Sequence, residues 1–228
     1  MRTKITILSA AALAAGLISS NAQVFSANIV GYANIPVKAG YSFLVNPFST
    51  GVTNGANEVM PIESTPNFDG SYFLTWTGTT FKYNGFDSGS GGWIDQNFNP
   101  APPPVIPPGK GFFFFNPGVS NLVTFVGTVI PNVGATNSLP IPSGYSMVGS
   151  VVPVAGSVTN PVVNMPVVDG FYMLQWNGTT YVYTGFDSGS GGWIDANFNP
   201  AAVPSLKIGE GFFYNNPDVP TTWKQSLP

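Results

Sequence analysis

An internal repeat constrains the fold of this chain more than any other feature of its sequence. Residues 73–101 and 173–201 differ at 7 of 29 positions, which leaves 22 identities at an offset of 100 residues. Downstream, PPGKGFFFFNPGV at 107–119 returns as KIGEGFFYNNPDV at 207–219. Self-similarity at a fixed period indicates that one structural unit has been used twice.

The repeat also predicts the domain boundaries. IPVKAGYS at 35–42 returns as LPIPSGYS at 139–146, so the offset changes and the second copy is about four residues shorter. A unit of about 100 residues is an ordinary size for one domain. We therefore predict two copies, residues 23–130 and 131–228, called the N-terminal half and the C-terminal half below.

The patterning of both halves is typical of β-strands. Short aromatic and β-branched runs are bounded by Gly, Pro, Asn or Asp, and no window keeps a 3.6-residue period. We predict an all-β fold in which each half is a small β-sandwich or barrel. Thr77-Gly78 and Asn177-Gly178 predict a hairpin with a type I′ turn. The clearest strand candidates of the N-terminal half are YSFLVNPF (41–48), SYFLTW (71–76), TTFKYNGF (79–86), GFFFFNP (111–117) and NLVTFVGTV (121–129).

The amino-acid composition excludes most catalytic mechanisms. The 228 residues include no His and no Cys. This excludes Ser-His-Asp triads, Cys nucleophiles, disulfides and zinc sites with nitrogen or sulfur ligands. The acid–base side chains that remain are ten carboxylates, a few Lys and the Tyr hydroxyls. We predict that the protein is not an enzyme.

The N-terminus predicts export. Arg2 and Lys4 precede an apolar run at 5–18, and small residues at 20–22 suit a signal peptidase, so residues 1–22 are interpreted as a signal peptide. Without Arg2 and Lys4 the chain keeps 5 basic and 10 acidic residues, a net charge of −5. That charge argues against nucleic acid and anionic membranes. No later segment is long and apolar enough to predict a membrane span. We expect a secreted, cell-surface or periplasmic protein.

The segment GFDSGSGGWID is identical at 85–95 and 185–195 and is the candidate functional loop. One hypothesis is a calcium site, since calcium prefers oxygen ligands. The spacing matches no EF-hand, and apart from calcium we predict no cofactor. The carboxylates for this site are Asp87, Asp95, Asp187 and Asp195.

A second hypothesis is a carbohydrate-binding platform. Aromatic rings would stack on sugar faces while carboxylates and amides bind hydroxyls. Two copies would add avidity on a polymer. The residues of this predicted site are Phe86, Asp87, Trp93, Asp95 and Asn97, with Tyr83 close by, and Phe186, Asp187, Trp193, Asp195 and Asn197 in the C-terminal half.

The third interpretation is structural. Asp and Asn cap their own turns, Gly permits left-handed backbone, and the Trp packs into the core. Asp87 and Asp95 could also form a glycosidase pair, but such pairs come more often from distant segments of a larger fold. We favour the structural interpretation.

Three motifs resemble a group of secreted repeat proteins of environmental bacteria, of the Verrucomicrobia and Planctomycetes kind, that has no assigned activity. They are IVGYANIPVKAGYSFLVNPF (29–48), WTGTTFKY (76–83) and PPGKGFFFFNP (107–117), while GYSMVGSVV (144–152) departs from the pattern by lacking Asn-Pro. The resemblance implies export and β architecture and carries no site residues.

Together these observations predict an exported, non-catalytic structural or surface-associated protein. The alternative is a carbohydrate-binding module that uses the duplicated loop. The expected partners are a polysaccharide or further molecules of the same protein.

Overall fold

The structure is a computed structural model that describes residues 29–51, 53–64, 68–130 and 134–227. The predicted signal peptide lies outside these residues. Within them the chain is all-β, as predicted, with one four-residue α-helix, α1 (Ala56–Val59), and short 3-10 turns. In this part of the chain no helix has the length and apolar character needed to cross a membrane.

The strands follow one another in short antiparallel segments. Those of the N-terminal half are β1 (Val30–Val37), β2 (Gly40–Val45), β3 (Phe48–Ser49), β4 (Tyr72–Trp76), β5 (Phe81–Asp87), β6 (Gly92–Ile94), β7 (Gly111–Asn116) and β8 (Asn121–Val129). Those of the C-terminal half are β9 (Thr136–Ile141), β10 (Gly144–Val148), β11 (Gly156–Ser157), β12 (Tyr172–Trp176), β13 (Tyr181–Asp187), β14 (Gly192–Ile194), β15 (Ser205–Leu206), β16 (Phe212–Asn216) and β17 (Thr221–Ser226).

Each half contains a five-stranded antiparallel sheet of the same order. The N-terminal sheet runs β2-β7-β4-β5-β6, and the C-terminal sheet runs β10-β16-β12-β13-β14. A second layer is built from β1-β8-β3 in the first half and from β9-β17 in the second, where β11-β15 forms a further pair. All strands of any one sheet come from the same half. The segment at 121–129 pairs with β1 along its full length and so belongs to the N-terminal half.

The sheets are open, so the barrel alternative for each half is wrong. Closure needs the two edge strands of a sheet to pair. In the N-terminal sheet β6 has three residues, and the edge of β2 faces the other half, where Val45 N donates to Gly209 O (2.9 Å). The two layers instead pack face to face, with Phe112 and Phe125 6.4 Å apart between ring centroids.

The β4–β5 hairpin forms where predicted, but the predicted type I′ turn is wrong. Thr77 N donates to Thr80 O (2.9 Å), and Gly78 has a φ of +103°. A type I′ turn needs positive φ at both central residues. Asn177 has no positive φ, and its side chain instead accepts from the backbone N–H groups of Thr179 and Thr180.

The run of phenylalanines in β7 is buried on both faces of its sheet. Phe112 and Phe114 enter the core of the N-terminal half, which also contains Phe73 and Phe125. Phe113 points to the other face and joins a separate apolar cluster with Phe43 and Met147. A strand covered on both faces does not show the alternating pattern of a half-exposed strand, which explains GFFFFN.

The separate cluster joins the two halves. Phe43 and Phe213 lie 5.1 Å apart between ring centroids, and Phe113 meets the edge of Trp176 at 6.2 Å. Backbone hydrogen bonds run beside these rings: Gly211 N donates to Phe43 O (3.0 Å), and Gly149 N donates to Gly109 O (3.1 Å). We call the contact between the halves the junction.

Glycine at position 149 lets the backbones approach across the junction. A Cβ there would stand 2.6 Å from Glu210 O and 2.6 Å from Val45 Cγ1. We expect Gly149→Ala to destabilise the fold by about 1–3 kcal/mol, because overpacking forces the halves apart. Thermal and urea melts measure this change.

Gly55→Ala is the matched control for this substitution. A Cβ at Gly55 would have no neighbour closer than 3.8 Å, so its effect should be smaller than that of Gly149→Ala. Equal melting of the Gly149→Ala variant and the unsubstituted protein would contradict the close approach of the halves.

Candidate functional site

The repeated segment at 85–95 folds as the β5–β6 hairpin. Phe86 and Trp93 are directly opposite each other, and Ser88–Ser90 forms the 3-10 turn between the strands. Gly91 and Gly92 have φ values of +87° and +130°. L side chains rarely adopt such a backbone, so the glycines are needed by the hairpin itself.

The two aromatic rings of the predicted platform point inward in the N-terminal half. Trp93 is 6% exposed and Phe86 is 8% exposed. The Trp93 ring lies 5.5 Å from Phe73 between centroids, and its Nε1 donates to Asn57 Oδ1 (3.0 Å) on α1. No ring face is left for a sugar, so the stacking role predicted for this pair is not supported and the core role is favoured.

The equivalent rings of the C-terminal half are less covered. Phe186 and Trp193 are half-buried and lie 5.5 Å apart between centroids. The described part of this half has no helix in the position of α1, and Trp193 Nε1 has no acceptor among the described residues. In the N-terminal half α1 lies in the segment that is about four residues shorter in the C-terminal half.

Asp87 acts as a cap inside its own hairpin. Its carboxylate accepts from Ser90 Oγ (2.6 Å) and from Gly89 N (2.9 Å), and Asp187 makes the same two bonds with Ser190 and Gly189. The bond from Ser90, and after it the backbone bond from Gly89, lowers the pKa of Asp87. Hydrogen bonds to the ionised form have this effect in general.

Asp95 caps the next turn. One carboxylate oxygen accepts from Asn97 N (2.8 Å) and Asn99 N (2.9 Å), and Asp195 repeats the pattern. These backbone bonds, with that from Asn99 the larger, lower the pKa of Asp95. Asn97 and Asn197 contribute their backbone to the turn and leave their side chains exposed.

The carboxylates proposed for calcium are thus already used by the turns that they cap. Asp87 and Asp95 each bind N–H or O–H groups of their own turn. Among the described residues, no three acidic side chains converge as a cation site would need. Turn capping accounts for the acidic residues of this segment, and calcium binding stays a hypothesis.

The turn capped by Asp95 presents an aromatic side chain that the sequence analysis missed. Phe98 has a φ of +61° and is 72% exposed, and Phe198 has a φ of +62° and is 69% exposed. Phe98 N donates to Asp95 O (3.0 Å). A left-handed backbone is uncommon for a bulky residue and marks a constrained position. The signal in the sequence was the repeated Asn-Phe-Asn after the Asp.

A row of aromatic rings also crosses the outer face of the N-terminal sheet. Tyr72 stacks on Phe115 at 4.6 Å and packs against Tyr83 at 5.0 Å between centroids, with the two tyrosine rings tilted by 35°. Tyr83 lies over Gly85, where a Cβ would be 2.6 Å from the Tyr hydroxyl. Burial and the hydrogen bond with Tyr41 raise the pKa of Tyr72. The rings cover one another's faces, so the row stabilises the sheet.

No protein-family model, curated protein or solved structure matches this chain.

Removing Trp93 tests the core role of the ring. We expect Trp93→Ala to lower the free energy of unfolding by about 3–5 kcal/mol, because it leaves a cavity beside Phe73 and Phe86. Trp193→Ala is the matched comparison and should cost less, since Trp193 is half-buried. Urea unfolding at constant pH measures both. A Trp93→Ala variant as stable as the unsubstituted protein would restore the platform hypothesis.

The caps also predict how stability depends on pH. The pKa values of Asp87, Asp95 and Asp195 are lowered by hydrogen bonds in the folded state. Their contribution is complete above the unfolded pKa of about 3.9 and is lost as the pH falls through the folded values. We expect the melting temperature to fall below about pH 4.

Substitutions distinguish the contribution of the capping carboxylates from that of the other acidic side chains. Asp95→Asn combined with Asp195→Asn should make the fall in melting temperature shallower. Asp218→Asn, which removes an exposed carboxylate that caps no turn, should retain the original fall. The same pH profile in all three proteins would contradict the capping role.

Proposed function

We propose that this chain is an exported, non-catalytic structural protein that associates through Phe98 and Phe198. The observation that carries the proposal is the placement of an exposed phenylalanine on a left-handed backbone in each half. The left-handed backbone is unfavourable for such a residue, and the exposed ring contributes little to the core. A contact with another molecule gives the ring a role that the isolated fold does not.

The repeated segment supports a structural role over catalysis. Asp87 and Asp95 have lowered pKa values and fixed partners, whereas a general acid in a carboxylate pair needs a raised pKa. The sequence supplies no His or Cys for other catalytic schemes. The rings of Phe86 and Trp93 are buried in the core.

Export and a tandem duplication belong to the same proposal. Arg2, Lys4 and the apolar run at 5–18 support a signal peptide. The common strand order of the two five-stranded sheets and the 22 shared residues support duplication of one unit. Two copies give each molecule two phenylalanine contacts, so a molecule that uses both meets two neighbours. Head-to-tail contacts of this kind produce extended assemblies when they do not close into rings.

The test replaces both rings by a residue that tolerates the backbone. Asn adopts the left-handed region readily, so Phe98→Asn with Phe198→Asn should keep or raise the melting temperature. The same variant should lose concentration-dependent association in sedimentation velocity. Val119→Asn with Val219→Asn is the control, because these side chains are 80% and 70% exposed elsewhere in each half.

The control pair should associate as the unsubstituted protein does. An unsubstituted protein that stays monomeric over the whole concentration range would overturn the association. Unchanged sedimentation of the variant that carries both Phe98→Asn and Phe198→Asn would overturn it as well.

A further inference from the structure

Two clefts lie at the junction and occupy corresponding positions in the repeat. Cleft A has a volume of about 420 Å³, and cleft B has about 450 Å³. Both volumes are in the range of small-molecule sites. Cleft A is lined by residues that include Trp76, Thr77 and Lys110 of the N-terminal half and Tyr145 and Ser146 of the C-terminal half. Cleft B is lined by their counterparts Trp176, Asn177, Glu210, Tyr41 and Ser42.

Several polar groups around cleft B are paired within the protein, although the ammonium groups of Lys38 and Lys207 have no partner among the described residues. Trp176 Nε1 donates to the backbone oxygen of Tyr41 (3.0 Å) across the junction. Glu210 accepts from Gln175 Nε2 (3.0 Å) and from Lys207 N (2.8 Å). A ligand that uses Trp176 Nε1 or the Glu210 carboxylate would have to replace bonds that already exist.

The corresponding groups of cleft A have no partners in the described part of the chain. Lys110 stands in place of Glu210 and Thr75 in place of Gln175, so the side-chain pair of cleft B is lost. Trp76 Nε1, Thr75 Oγ1 and Lys110 Nζ form no hydrogen bond or ion pair with other described residues. Ser146 is only 7% exposed, and its Oγ is also unpaired there.

Unpaired donors next to aromatic surface point to a ligand of defined chemistry. An indole N–H and an ammonium group only donate, and Lys110 is the one charged side chain in the lining of cleft A. No carboxylate or side-chain amide of that lining accepts from the hydroxyls of a neutral sugar. Tyr145 is 49% exposed and, with Trp76, offers the apolar ring surface against which sugar rings pack.

We propose that cleft A binds an acidic saccharide. A uronate carboxylate pairs with the Lys110 ammonium, the sugar ring packs on Trp76 and Tyr145, and the remaining donors bind ring oxygens and hydroxyls. Among the described residues, no acidic side chain lines cleft A, whereas Glu210 shares cleft B with Lys38 and Lys207, so Lys110 is the local feature that favours an anion in cleft A. The site differs from the repeated hairpin and is independent of association through Phe98.

The experiment is a calorimetric titration of the purified protein with trigalacturonate, with cellotriose as the neutral trisaccharide. We expect heat from trigalacturonate that weakens as salt is raised, and none from cellotriose. Lys110→Gln should weaken binding at least about tenfold, as loss of one charge-assisted hydrogen bond does. Trp76→Phe, which keeps a ring but removes the N–H, should weaken it several-fold.

Lys207→Gln in cleft B is the matched control and should leave the affinity unchanged. Thermal melts establish that each variant is folded, and Lys110 is exposed, so its replacement spares the core. The proposal would be overturned by no binding of trigalacturonate, by equal binding of cellotriose, or by full affinity in Lys110→Gln. Loss of affinity in Lys207→Gln alone would move the site to cleft B and would also overturn it.

Discussion

The junction between the two halves is the contact on which the rest of the structure depends. Phe113 and Phe43 lie on the outer face of the N-terminal sheet, where Met147, Trp176 and Phe213 of the other half cover them. The same contact provides backbone partners for the edge of β2, which would otherwise be an unpaired strand edge. One interface therefore covers the apolar outer face of the N-terminal sheet and provides hydrogen-bond partners for the edge of β2.

Much of the architecture follows from local sequence. Short aromatic runs, glycine at turns and the absence of helical periodicity predict the all-β class and the β4–β5 hairpin. The phenylalanine run of β7 indicates a strand buried on both faces, which the structure shows. These features depend on residues close together in the chain, which is why sequence alone is informative about them.

The function of individual residues depends on distant contacts and was harder to predict. Trp93 in a glycine-rich acidic segment resembles a binding residue, but its environment is set by Asn57 and Phe73, far away in sequence. The Asn-Gly pair predicts a left-handed position for Asn177, whereas the Asn177 side chain caps the turn instead. The exposure of Phe98 comes from the geometry of one turn, which local sequence alone does not predict. Cleft A and cleft B are each lined by residues of both halves. The residues that distinguish the two clefts can therefore be recognised only from the tertiary structure.

The shared junction also has a consequence for how the chain is made. The N-terminal half is complete at β8, but the face that carries Phe43 and Phe113 is not fully covered until β16 has been synthesised about 85–100 residues later. At roughly 5–20 residues per second this delay is on the order of 5–20 s. During that interval the nascent first half exposes an aromatic surface and a free strand edge. The order of synthesis, and not the finished fold, therefore creates the period in which this protein is most prone to misassembly.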